Sequence, residues 1–276
     1  MVSESRTIVV TGASSGIGKA TAQFFKQKGW NVIAAMRDPS AEKDLIVDER
    51  LKLVQLDVQH SASIEKAVST TLATFKQIDV WVNNAGYGAY GPVEAASREQ
   101  IQRQYDFNVF GLIECVQAIA PHFRANRAGV LINVTSIGGL MTAPGYSVYN
   151  SSKFAVEGLS EGLWYELGSF GIKVKVIEPG VTSTDFGGRS MDMLDYSSMP
   201  DYADVMEKIN VGRARLIKKR SAPELIAATI FQAANDQSDR LRYLAGPDAK
   251  RLWKLRRWLG YRAQMSIVRN LVKLGR

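Results

Sequence analysis

The chain has 276 residues, 46% of them hydrophobic and 22% charged, enough to bury a core without disulfides or metals and unlike a disordered or fibrous protein. Its one cysteine, Cys115, excludes an internal disulfide and sits in an apolar run over 112–119, where a buried thiol in a reducing, cytoplasmic setting is expected. The net charge of +8 is local: residues 250–276 hold nine Lys or Arg and no acidic residue, leaving 26 basic against 27 acidic elsewhere, so a basic tail on a neutral body is indicated and not a nucleic-acid-binding protein.

The N-terminus shows no basic segment followed by an apolar leader. No apolar stretch approaches the roughly 20 residues that span a bilayer, so a soluble or at most peripheral protein is expected. Short Val- and Ile-rich runs over 7–11, 31–36, 51–57, 79–83, 130–135 and 173–178 are apolar on both faces, the pattern of parallel strands covered on both sides. Amphipathic helical patterns over 17–28, 63–75, 98–126 and 149–169 alternate with them. Ser61 and Ser97 are candidate N-caps, Gly29 and Gly171 stand at helix C-termini, and Pro121 should kink or end the long helix that contains it. Residues 182–200 read as a long loop or broken helices, with a substrate lid expected over about 182–220. A helix over 223–234 and a strand over 241–245 would complete the sheet. The expectation is one α/β domain over 1–249, a Rossmann-type, doubly wound, mostly parallel seven-stranded sheet with helices on both faces, followed by a basic amphipathic extension over 250–276.

The first strand runs into Thr11-Gly12-Ala13-Ser14-Ser15-Gly16-Ile17-Gly18 and then directly into a helix. Glycines there allow a tight turn, close approach of backbone to a pyrophosphate, and an open helix N-terminus for anionic oxygens. The second strand ends in neutral residues and then Arg37, where an acidic residue would read the ribose of NAD and a basic one the 2′-phosphate of NADP. Arg37 therefore favours NADP(H) without excluding NAD(H); the plainer alternative is a solvated arginine paired with Asp38. Asp57 and Val58, ending the third strand, are placed for the adenine edge.

Thr11-Gly-x-x-x-Gly16-x-Gly18, Asn83-Asn84-Ala85-Gly86, Asn108, Ser136, Tyr149-x-x-x-Lys153 and Pro179-Gly180 occur in the order and spacing of the single-domain short-chain dehydrogenases, and the sequence resembles that family over roughly 6–246. Within it, Ala35-Met36-Arg37-Asp38, Asn84-Ala85-Gly86-Tyr87-Gly88 and Gly91-Pro92-Val93-Glu94 look most like the subgroup of 17β-hydroxysteroid and retinol dehydrogenases. The chemistry is coherent: Tyr149 and Lys153, four apart on a helix, share a face, and a nearby ammonium should lower a phenol pKa of about 10 toward a useful range. Tyr149 would then exchange a proton with a substrate oxygen that Ser136 orients. The resemblance further implies that Lys153 holds the nicotinamide ribose, that Asn108 anchors a water relay through Lys153, and that Asn84, Ala85 and Gly86, with Pro179, Gly180, Val181, Thr182 and Thr184, line the cofactor. No metal is expected, since His60 and His122 lie in unrelated elements.

Around the substrate the sequence offers Tyr87, Tyr90, Leu140, Met141, Tyr146, Phe186, Met191, Met193 and Leu194, a lining for a lipophilic ketone or secondary alcohol. The function indicated is a carbonyl reductase or hydroxysteroid- or retinol-type dehydrogenase, working as a homodimer or homotetramer. A non-catalytic dinucleotide sensor or scaffold with a membrane- or partner-binding tail is the second reading. For the tail itself three arrangements are open: an interfacial helix on anionic membrane, a subunit contact, or a helix packed over the active-site mouth, with Gly260 interrupting it.

Overall fold

The computed structural model describes residues 5–188, 190–216 and 220–274; Arg189 and 217–219 of the expected lid, residues 1–4, and 275–276 of the tail lie outside the described residues. The strands are β1 (Thr7–Thr11), β2 (Asn31–Met36), β3 (Leu51–Gln55), β4 (Val80–Asn83), β5 (Gly88–Tyr90), β6 (Val130–Val134), β7 (Lys173–Pro179), β8 (Met191–Met193) and β9 (Arg242–Ala245). The helices are α1 (Gly16–Gln27), α2 (Ser61–Phe75), α3 (Arg98–Tyr105), α4 (Gly111–Asn126), α5 (Ser147–Gly168), α6 (Asp201–Leu216), α7 (Pro223–Asn235) and α8 (Pro247–Leu271).

Seven strands form one sheet in the order β3-β2-β1-β4-β6-β7-β9, every pairing parallel. Successive side chains of a strand leave on opposite faces. Ile8 and Val10 of β1 thus pack with Phe25 of α1 and Ile226 and Ile230 of α7. Val9 packs on the other face with Ile64 of α2, Cys115 and Ile119 of α4, and Val156 of α5. Two apolar layers explain why these strands read as continuous hydrophobic runs. The order reverses between β1 and β4, and a crevice opens beyond the carboxyl ends of a parallel sheet at such a switch point.

Most predicted elements are present, and the departures are informative. The helix expected over 98–126 is α3 and α4 joined by a π-helical turn at Asp106–Phe110, while α4 runs on through Pro121. The cause is Asn108: its Oδ1 accepts from the Tyr87 N–H at 3.1 Å and its Nδ2 donates to the Tyr87 carbonyl at 2.9 Å, tying the turn to the chain after β4. Ser97 caps α3 in a capping box with Gln100. Ser61 is not an N-cap; α2 begins on it, and its hydroxyl donates to Glu114 at 2.9 Å. The segment read as a loop over 182–200 contains β8, which pairs with β5 in a separate two-stranded sheet, and α6 follows it. Among the described residues no helix is long and apolar enough to cross a membrane.

Two glycines test this packing in opposite directions. A Cβ on Gly111 would stand 2.4 Å from the Val58 carbonyl oxygen, whereas one on Gly158, exposed in α5, would meet nothing within 4 Å. Gly111→Ala should lose about 1–3 kcal/mol by overpacking and Gly158→Ala should gain about 0.5–1 kcal/mol from helix propensity, read from urea denaturation midpoints.

Candidate active site

The site is built at the β1–β4 switch point. Thr11 Oγ1 donates to the Val82 carbonyl at 3.2 Å and accepts from the N–H groups of Asn84 and Ala85, each at 3.0 Å. Asn84 Nδ2 returns a hydrogen bond to the Thr11 carbonyl at 2.9 Å. These bonds lock the glycine turn against the end of β4. Gly12 has φ +65°, and a Cβ on it would lie 2.8 Å from Ala85 Cα, so only glycine fits. Gly18 does not face the crevice; a Cβ there would lie 2.3 Å from the Gly12 carbonyl oxygen, so its role is close packing of α1 on the turn.

A cavity of about 1260 Å³ runs along the sheet ends. At one end it is lined by Gly12, Ser14, Ser15, Gly16, Ile17, Arg37, Val58, Asn84, Ala85 and Gly86, and farther on by Pro179, Gly180, Val181, Thr182 and Thr184. Asp57 is not in its wall: its carboxylate accepts from the Gln59 N–H at 3.1 Å and lies 3.4 Å from His60 Nδ1, a local turn that leaves Val58 and Gln59 to face the cavity. Arg37 is not paired with Asp38, whose Oδ1 accepts from the backbone and hydroxyl of Ser40. The Arg37 guanidinium lies 5.8 Å from the Phe107 ring.

Tyr149, Lys153 and Ser136 meet in the middle of the cavity. Lys153, 6% exposed, donates to the Val134 carbonyl at 3.1 Å and holds its Nζ 5.9 Å from the Tyr149 ring centroid. Ser136 accepts from the Gly138 N–H at 3.0 Å and is hydrogen-bonded to the Tyr149 phenol. Burial pushes the Tyr149 phenol up to about 12, the Ser136 hydrogen bond opposing. Burial likewise pushes the Lys153 ammonium down to about 8, the Glu157 charge opposing. The expected lowering of the Tyr149 pKa by Lys153 is therefore not what this geometry produces, because desolvation outweighs an ammonium that is itself engaged by a carbonyl. Asn108 stays out of direct contact with substrate space; beyond Tyr87, its amide donates to Ser152 Oγ at 3.1 Å.

Tyr87, Met141, Tyr146, Phe186 and Met191 line the far part of the cavity as expected. Tyr149 sits between Phe186 and Tyr146, with ring centroids 5.5 and 6.0 Å away. Leu140 is absent from the wall; it ends the short 3-10 turn Ile137–Gly139 and is buried elsewhere. Tyr90, Met193 and Leu194 also lie off the wall. Among the described residues no metal site is gathered. Cys115 is a core thiol, pushed up to about 12 by burial.

Several lining residues had no local signal in the sequence. Arg103 of α3 is paired with Asp192 of β8 across the rim, and Ile209 and Arg213 of α6 face inward. Helix α8 breaks at Gly260, where Arg256 donates to Gln264 at 2.7 Å across the bend, and Leu252, Leu255, Ile267, Val268 and Leu271 line the cavity. Of the three arrangements open to the tail, the structure shows its helix packed over the mouth. Trp258, Leu259, Tyr261 and Met265 remain exposed near the bend.

Residues 6–195 match the family model of the short chain dehydrogenases. A 3-ketodihydrosphingosine reductase of Bacteroides thetaiotaomicron is 34% identical over 258 residues, covering 91% of this chain and 92% of the relative. Human retinol dehydrogenase 8 is 33% identical over 209 residues, 72% of this chain and 66% of the relative. A solved short-chain dehydrogenase from Streptomyces avermitilis is 31% identical, with a TM-score of 0.84 and 100% of both chains covered. A doubly wound parallel sheet, a glycine turn tied to β4 and a Tyr149–Lys153 pair in the crevice agree with these likenesses: the chain belongs to the short-chain dehydrogenase family of oxidoreductases.

Proposed function

We propose that the protein is an NADP(H)-dependent carbonyl reductase for lipophilic ketones, able to run the reverse oxidation of secondary alcohols. The observation that carries this reading is a half-buried Tyr149 phenol, flanked by Tyr146 and Phe186, beside Ser136 in a cavity with largely apolar walls. Tyr149 donates its proton to the substrate oxygen, which Ser136 orients, and the Lys153 cation stabilises the phenolate left behind. Asn108, with both ends of its amide engaged, holds the π turn in shape and leaves the backbone of that turn to supply a water relay toward Lys153.

The glycine turn fits a dinucleotide, since its cradle has no room for a Cβ at Gly12 and the N-terminus of α1 opens onto the cavity. A bound nicotinamide cofactor supplies or accepts the hydride. Ser14, Ser15, Gly16 and Ile17 would hold its pyrophosphate, Arg37 its 2′-phosphate, Val58 its adenine, and Asn84, Ala85, Gly86 and Lys153 its nicotinamide ribose. Residues Pro179 to Thr184 would meet the carboxamide. Support for a lipophilic substrate comes from the walls at Tyr146, Phe186, Met191 and the inner face of α8, and from a relative named for a long-chain keto compound. The non-catalytic sensor has no observation in its favour. Exposed Phe110, Phe154 and Tyr165 around α4 and α5 support a homodimer or homotetramer built on those helices.

Tyr149→Phe should lower kcat for ketone reduction by about 10²–10⁴-fold while NADPH affinity, read by fluorescence, stays nearly unchanged; near-normal turnover would overturn the assignment. Because burial moves Lys153 down to about 8, kcat/KM for reduction should be flat below that pH and fall above it, where the cation loses its proton. A profile level up to pH 10 would remove that role. Arg37→Ser should raise KM for NADPH by about tenfold or more while changing that for NADH little; equal losses would end the case for NADP.

A further inference from the structure

The far end of the cavity carries a cation that the chemistry at Tyr149 does not use. Arg213 is half-buried on α6, one turn after Ile209, and both line the cavity. Its guanidinium carbon lies 4.5 Å from the Tyr90 ring centroid and 5.6 Å from that of Tyr146. One of its terminal nitrogens would stand 3.6 Å from a Cβ on Gly187, beside the turn that carries Phe186. Tyr146 and Phe186 are the two rings that flank Tyr149, so the cation and the reacting phenol belong to one enclosure. The Tyr149 and Tyr146 centroids are 6.0 Å apart, which puts the guanidinium within about 12 Å of the Tyr149 ring.

A buried guanidinium normally finds a carboxylate, and among the described residues none lies within ion-pair distance of Arg213. Asp192, which also lines the cavity, is paired with Arg103, and Asp248 accepts from the Val181 N–H at 2.6 Å. The π faces of Tyr90 and Tyr146 hold the cation, and their phenol oxygens can take two of its five N–H donors. The Nε group is buried without an acceptor. Donors remain, in a planar fork suited to an oxyanion.

We propose that Arg213 anchors an anionic end group, a carboxylate or a phosphate, on the substrate, whose carbonyl sits at Tyr149 and whose apolar body spans the space between. The substrate class is an amphiphilic oxo compound and not a plain hydrocarbon ketone, which rests on the reductase reading above. Arginine and not lysine suits the position, because stacking on two rings and a two-point hydrogen bond both need the flat guanidinium.

The test measures kcat/KM for oxo-alkyl substrates that differ only in their end group: a carboxylate, its methyl ester, a phosphate monoester and the parent alcohol. The wild type should prefer an anion over its neutral partner by about tenfold or more, and R213M should cut that ratio by about 10–100-fold. R213K should fall between. Using the ratio within each variant removes any general loss of folding or cofactor binding. A preference confined to one anion identifies the group and supports the anchor. A wild-type ratio near one for both anions, or a ratio unchanged in R213M, overturns it. If the wild type reduces none of the ketones, the reductase reading fails; calorimetric binding of the oxo acid to wild type and R213M then decides the anchor separately. Weaker binding in R213M supports it and equal affinity overturns it.

Discussion

The site depends on keeping one ammonium out of water. Lys153 is almost fully buried, and its charge is tolerated because the Val134 carbonyl accepts from it and Glu157 lies one turn farther along α5. Glu157 is held in turn by the Thr135 hydroxyl at 2.6 Å and by Arg242 at 3.1 Å. Arg242 also pairs with Glu161 and Glu178, so one guanidinium on β9 braces α5 and β7 together. Burial, and then the Glu157 charge, push Glu178 up to about 8, with Arg242 opposing. Catalytic and structural electrostatics are here one network running from the cavity into the sheet edge.

The same desolvation sets the character of the chemistry. A phenol lifted by burial is suited to give a proton to a carbonyl oxygen, and a lysine lowered by burial responds to pH in a range where a surface lysine would not. Both effects need walls that exclude water. Those walls come from elements outside the seven-stranded sheet: the β5–β8 pair with its Arg103–Asp192 tie, α6 held to β5 by the Tyr90 hydroxyl donating to Asn210 at 2.7 Å, and α8 folded across the mouth. Helix α5 and the turn after β6 supply Tyr149, Lys153 and Ser136, and the appended elements supply the medium around them.

Much of this was legible before any coordinates. The central strands of the large sheet could be placed because they are buried on both faces, and the Gly12–Gly18 turn because its spacing follows from local backbone geometry. Tyr149 and Lys153 could be paired because a separation of four puts them on one helix face. Asn108 could be singled out from the order of the motifs, but the π turn it enforces could not, since the bonds that create it reach back to Tyr87. Asp57 and Leu140 were placed in the wall by their position after a strand, and each is withdrawn by a short turn whose geometry the pattern of residue types does not reveal. Helix α6 falls within the lid expected over about 182–220, where no element was predicted; its charged residues give little periodicity, and its inner face exists only because Tyr90 and Tyr146 are there to receive it.

The sequence by itself determined the seven-stranded sheet, the glycine turn and the pairing of Tyr149 with Lys153 on one helix face, because each rests on periodicity or spacing between residues a few positions apart. Only the tertiary structure decided the direction of the two pKa shifts, the placement of the basic tail over the cavity, and the delivery of Arg213 to its far end. Desolvation and cavity shape are set by side chains brought together from distant parts of the chain: Tyr146 and Arg213 are separated by α5, β7 and β8, yet 5.6 Å separates the guanidinium from the ring.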